Sequence, residues 1–204
     1  MGIPNDLGLW WNIIRDPGRY AGKQMGFQSS LKLYYEASII PISISLVLGV
    51  ALILFGINAY APWSSPFVRF GLLAAFIIGL VFILWVLIPI SIFVNAFIYH
   101  IVGKYILKAW NKSYEKTFVA TLFGTLPQLF LSWLLPIPFI NIFALMAIFV
   151  WGLIVLIISL SEQQKTSRIN AFVTLIASVL LVLVPIMIFV ALIGAIITPA
   201  ASIL

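Results

Sequence analysis

Lys104-Tyr-Ile-Leu-Lys-Ala-Trp-Asn-Lys-Ser-Tyr-Glu-Lys116 interrupts a chain otherwise built of apolar runs. Lys104, Lys108, Lys112 and Lys116 are four of its 11 basic residues. The runs on either side are too apolar to fold in water. Loops rich in Lys and Arg stay on the cytoplasmic side of a membrane, so placing this one stretch orients every other segment.

Composition agrees. The 204 residues are 64% hydrophobic and 8% charged, with a mean hydropathy of +1.22. Water-soluble domains carry about 25% charged residues, so the chain reads as one helical membrane domain. Its net charge of +6 is dealt out between apolar segments. That placement fits anionic lipid headgroups and topology rather than a nucleic-acid track. With no cysteine, disulfides, thiolate metal sites and a Cys nucleophile are excluded.

Working outward, residues 1–36 form a cytoplasmic or interfacial N-terminal segment and residues 37–204 an all-α domain of five transmembrane helices. The spans fall at about 37–57, 70–102, 117–135, 139–160 and 169–197, each long enough for a hydrocarbon core that needs ~20 helical residues. Trp10, Ile13 and Ile14 recur at helical spacing, which predicts a short helix along the membrane surface. Asp16-Pro17 reads as an N-cap followed by proline at the first helical position. The second span is overlong, so Pro89 is expected to kink it, and Lys104, Lys108 and Lys112 to continue on one face as it emerges. Ser45 and Gly49, the stripe Gly71, Ala75 and Gly79, and Ala120 with Gly124 are small-residue signatures of close helix contact. Tyr60 and Trp63 fall at interfacial depth. Pro136-Ile-Pro138 makes a tight external turn, and Pro185 bends the last helix. Ten of the 11 Lys and Arg residues fall on one side and only Arg69 on the other. The expectation is a cytoplasmic N-terminus and an external C-terminus, in a prokaryotic inner (plasma) membrane.

Chemistry is sparse. No Asp, Glu, Lys or Arg lies within an assigned span. The groups an aspartyl, zinc or serine protease needs are missing, so neither an enzyme nor a cofactor nor a metal is expected. His100, near the inner boundary of span two, is an interfacial hydrogen-bonding residue or a pH sensor. Gln128 is the deepest strongly polar side chain. It either joins helices across the bundle or, beside Pro127, coordinates a ligand in a broken helix. Asn95 lies nearer the inner edge. Lys104, Lys108, Lys112, Lys116 and Arg168 are the candidate contacts for lipid headgroups or a protein partner.

The order of these features resembles the Yip family, five-span membrane proteins named for interaction with Ypt/Rab GTPases. Ile13-Ile14-Arg15-Asp16-Pro17 precedes span one, and His100 with the basic loop to Phe118 follows span two. Gly124-Thr-Leu-Pro-Gln128, a proline at 136 or 138, Trp151 and Ser167-Arg-Ile-Asn-Ala171 come next, in the family's order. Gly124 is followed by Thr125 rather than Tyr, and the Asp-Leu-Tyr-Gly-Pro motif of eukaryotic members is absent. The resemblance is therefore to shorter prokaryotic members, and Rab binding is carried over to no residue. It implies a non-enzymatic scaffold or adaptor in membrane organisation or trafficking, acting through basic cytoplasmic loops. Homo-oligomerisation is the accompanying expectation. The competing expectation is a channel or carrier for a small solute, ion or lipid.

Overall fold

The computed structural model describes the backbone of residues 3–23, 25–60, 65–134, 137 and 139–201, with side chains described between 8–59 and 65–192 of these. Trp63, Pro136 and Pro138, and the side chain of Tyr60, lie outside the described residues. The described residues are mostly helical, without strands. Its helices are α1 (Ile3–Arg15), α2 (Pro17–Tyr20), α3 (Phe27–Tyr60), α4 (Pro66–Phe82), α5 (Ile88–Ile101), α6 (Tyr114–Leu131), α7 (Ile140–Gln164) and α8 (Arg168–Ala201). A π-helical turn, Ile83–Leu87, joins α4 to α5 without a break, and a second, Val102–Ile106, extends α5. Among the described residues, five helical stretches are long and apolar enough to cross a membrane.

Local chemistry starts these helices where the sequence places the signals. Asp16 Oδ1 accepts from the Arg19 amide at 3.3 Å with Pro17 at the first helical position. Ser65 Oγ does the same for Val68 at 3.3 Å ahead of Pro66. α3 begins at Phe27, ten residues before the expected span. Its first amide is held by Glu115 Oε1 at 2.8 Å, a carboxylate brought from α6. That earlier start takes Lys32 and Glu36 into the helix, paired at 3.4 Å.

α6 is the axis of the bundle. Its apolar window is 67% buried, against 6–28% for the other four, and its mean hydropathy is 1.3 against 2.6–3.1. A helix wrapped by other helices has no lipid to match, so it accommodates Thr117, Thr121, Gly124 and Thr125. α7 packs closest. A methyl on Gly124 would lie 2.7 Å from Leu156 Cβ, and one on Gly152 would lie 3.2 Å from the Gly124 carbonyl. α3 and α5 flank α6 on other sides, with Phe118 fully buried between Phe27 and Phe93, 4.6 Å from each ring. The Gly49 signature is also used, since Phe76 of α4 lies against it. A methyl added at Gly71 or Gly79, by contrast, would meet no other helix within 4 Å. The described chain makes its α3–α4 contact through Phe76 instead of through that small stripe.

Pro89 acts through the π turn. Its nitrogen carries no hydrogen, and the Ile88 amide is spent on the Ile83 carbonyl. The Leu84 carbonyl therefore has no backbone donor in either helical register, and the Trp85 carbonyl loses its α-helical one. Neighbouring tyrosines of α3 replace them: Tyr34 Oη donates to Leu84 O at 2.6 Å and Tyr35 Oη to Trp85 O at 3.4 Å. Trp85 Nε1 donates back to Ser38 Oγ at 3.2 Å.

The apolar face of the N-terminal helix is covered by protein. Leu9, Trp10, Ile13 and Ile14 are all buried in the core around α6. The rings of Trp10 and Trp11 each lie 5.4 Å from Phe130, near the far end of α6. Trp151 Nε1 donates to the Ile14 carbonyl at 3.0 Å. The apolar face read from the sequence is real; it is met by protein, and α1 runs along the bundle.

Two substitutions test this packing. Tyr34→Phe should lower stability in detergent unfolding by about 1–3 kcal/mol, because a buried carbonyl is left bare. Tyr35→Phe, with its longer and exposed bond, should change it much less. Gly124→Ala should cost about 1–3 kcal/mol by forcing α6 and α7 apart.

Candidate functional site

One cluster of buried polar side chains lies where α7 finishes and α6 begins. Gln163 and Gln164 are 2% and 1% exposed. As neighbours on a helix they point about 100° apart, and each clamps a different segment. Gln163 Nε2 donates to the Ala21 carbonyl at 2.7 Å and the Lys23 carbonyl at 3.0 Å. Gln164 Nε2 donates to Thr117 Oγ1 at 2.8 Å. The same hydroxyl meets His100 Nδ1 at 2.9 Å. A threonine hydroxyl has one proton. Its two lone pairs can also accept, from Gln164 and from Nδ1 alike, so the direction of the His100 bond follows the imidazole tautomer. Tyr105 and Tyr114 stand edge-on to the His100 ring, with centroids 6.3 and 5.8 Å away.

α7 ends with Lys165 in the left-handed region at φ 54°. The Lys165 and Thr166 amides both return to the Ser161 carbonyl, and Ser161 Oγ donates to Thr166 O at 2.7 Å. This tight cap delivers Arg168 directly onto the first turn of α8, exposed.

The basic stretch does not continue as a helical face. The helix stops at Ile106, and Lys108 adopts φ 52°. The amides of Ala109 and Trp110 then both bond the Gly103 carbonyl, at 2.8 and 3.2 Å. Trp110, 4% exposed, is folded back onto Gly103, where any side chain would collide with the indole. Burying that indole outweighs another helical turn. Lys104 therefore sits in the last helical turn, its ammonium 5.8 Å from the Tyr105 ring. Lys108 and Lys112 are exposed on the reversed loop, and Lys116 lies in the first turn of α6.

Gln128 and Asn95 lie elsewhere, and neither joins His100. Gln128 is exposed on a groove beside Leu84, Leu129 and Ile148. Asn95 is exposed on another, between α5 and α8, beside Ser178 and Val182. Gln128 therefore does not bridge helices within the described chain. Among the described residues no three His, Asp or Glu side chains converge on a metal-sized site.

Gln163, Gln164 and Thr117 carry the cluster, and sequence reasoning passed over them as loop and helix-end residues. The available signal was two adjacent uncharged amides closing an apolar run. Gln163→Leu removes both of its bonds to the N-terminal segment. Hydrogen exchange at the Ala21 and Lys23 amides should then quicken about tenfold while α6 amides hold their rates.

The arrangement can be compared with known families. The Yip1 domain model matches residues 11–201, from Trp11 in the buried N-terminal helix to the last turn of α8. No curated protein and no solved structure matches the chain. A match over nearly the whole length, on a five-helix membrane fold, makes the chain a member of the Yip1 domain family.

Proposed function

We propose that this Yip1-domain membrane protein is a non-enzymatic scaffold whose working surface is the basic end of the bundle. That end faces the cytoplasm, where it engages anionic lipid headgroups and a protein partner. The C-terminus of α8 lies on the opposite side of a prokaryotic cell membrane. The supporting observation is the glutamine pair. One helix end fixes the segment carrying Lys23 and, through Thr117, the start of α6 that receives Lys112 and Lys116. Basic segments far apart in sequence are thereby held against a common base, with Arg168 one tight turn away. Charges held in a fixed pattern recognise a surface better than charges on free loops, because less ordering entropy is lost on binding.

The second reading, a carrier or channel for a small solute, ion or lipid, has less support. Its three polar residues, Gln128, Asn95 and His100, occupy separate places. Flux of ions, polar solutes or labelled lipid through liposomes holding the purified protein would favour it.

The scaffold reading is tested by changing Lys104, Lys108, Lys112 and Lys116 to Gln. Each basic residue near an anionic surface contributes ~1 kcal/mol. The preference of the purified protein for phosphatidylglycerol over phosphatidylcholine, read by native mass spectrometry, should drop at least about tenfold. Partners captured by in-cell crosslinking should be lost with it. If lipid preference and capture both survive, the scaffold reading fails.

A further inference from the structure

The outer surface of the bundle turns from polar to apolar at different heights on two of its sides. On the α3 side, the exposed residues of the first turns are Gln28, Ser29, Lys32 and Tyr35. Lys32 pairs with Glu36 at 3.4 Å. Exposed apolar side chains follow only beyond this pair, from Ile39 to Phe55. They end at Asn58, whose Oδ1 accepts from Arg69 Nη1 at 3.2 Å. Asn58 follows Glu36 by 22 residues, about 33 Å of helix. On the α8 side, Arg168 is followed at once by exposed Ile169, Phe172, Val173 and Ile176. α7, which ends beside Arg168, runs for 25 residues, about 37 Å. Each side thus carries its own apolar band, long enough for a hydrocarbon core ~30 Å thick.

α6 serves as a common ruler for the two bands. The Phe27 ring lies 4.6 Å from that of Phe118. Glu36, nine residues further on, therefore stands about 14 Å above Phe118. A second tie agrees, since Tyr34 Oη reaches the Leu84 carbonyl and Leu84 shares a groove wall with Gln128 and Leu129. On the other side, Gln164 bonds Thr117 Oγ1 at 2.8 Å, and the cap at Lys165 delivers Arg168. The near edge of the apolar band thus lies at Thr117 on the α8 side and about 15 Å higher on the α3 side. The far edges are displaced in the same sense. From Phe27, α3 continues for about 50 Å to Tyr60, whereas α6 and its terminal turn reach only about 24 Å from Phe118 to Leu134. An upright bundle, matched to the membrane through α6, would draw Lys32 and Glu36 more than about 10 Å into hydrocarbon. It would also lift the exposed Phe55 about 18 Å past the end of α6, into water.

We infer that the bundle sits obliquely in the bilayer, with the Lys32–Glu36 pair, Tyr35 and Trp85 at the headgroups on one side and Lys165 and Arg168 on the other. Exposed tyrosine and tryptophan suit that level. α5 and α6 lie between α3 and α8. Two helix spacings, ~18 Å, separate the faces, and a 15 Å offset over that width is a tilt of roughly 40°. The overlong stretch Pro66–Ile106 then has a reason. Its upper part shares the band of α3 at Phe76 and Gly49, and its lower part shares that of α8 at Asn95 and Ser178. The first turns of α3 stand clear of the membrane. This seat is independent of what the basic end binds.

The test uses the full chain, which has no cysteine, in phosphatidylethanolamine–phosphatidylglycerol liposomes. Lys32→Cys, Val47→Cys, Phe55→Cys and Val173→Cys, all at exposed positions, each carry a nitroxide whose collisions with oxygen and with a nickel chelate report depth. Positions 32 and 173 each lie five residues past Phe27 and Arg168, so they stand at nearly one height on the bundle. The oblique seat predicts a label at 32 among the headgroups, one at 173 about 10 Å deeper, one at 47 near mid-core and one at 55 still in hydrocarbon. Polarised infrared dichroism of the unmodified chain in oriented bilayers should give a mean helix tilt near 40°, against the ~20° usual for spanning helices. Equal depth at 32 and 173, a water-exposed label at 55, or a mean tilt near 20° would each overturn the inference. The last outcome holds even with unequal depths, because a bilayer stepped around an upright bundle would produce it.

Discussion

In a bilayer, every backbone N–H and C=O must find a partner inside the protein, because hydrocarbon offers none. The rest of this fold is arranged around that requirement. It is met trivially along regular helix and becomes demanding wherever proline enters. At Pro89 the chain inserts a π turn and enlists two consecutive tyrosines of a neighbouring helix. The proline thereby fixes the register of α3 against the α4–α5 rod. A feature usually read as a hinge acts here as a point of attachment.

Given satisfied backbones, close approach supplies what the hydrophobic effect cannot between helices already in lipid. The Gly124–Gly152 crossing brings α6 and α7 nearly backbone to backbone. α1, α3 and α5 then complete the sheath around α6 with aromatic side chains. α8 is different. Beyond Ser178 its described side chains are exposed to Leu192, so it packs through its first three turns and faces lipid thereafter. Firm packing and firm hydrogen bonding coincide near the α7 terminus, where polar clamps and the Trp110–Gly103 contact gather.

Much of the architecture was legible in the sequence because hydrophobic run length and proline and serine caps act locally. Five spans, the Asp16 cap and the use of Gly49 and Gly124 all follow from residues within a turn or two of one another. What was not legible depends on partners distant in sequence. Trp10 and Ile13 announce an apolar face without saying whether lipid or α6 will cover it. Lys104, Lys108 and Lys112 have perfect helical spacing, yet a glycine at 103 and a tryptophan at 110 reverse the chain between them. Gln128 drew notice for its depth, but depth along a helix does not reveal the side of the helix. Gln163 and Gln164 look like surface residues until the segments they hold are folded over them.

Lys108 and Lys165 both occupy left-handed backbone, where a β-carbon is strained and glycine is the usual occupant. Each costs about 1 kcal/mol relative to glycine. Glycine at either position would relax the turn and erase a positive charge in the same stroke. Mutational selection for thermal robustness alone would therefore drift toward a neutral rim, so persistence of lysine at both places under such selection would measure how much the cell values the charge.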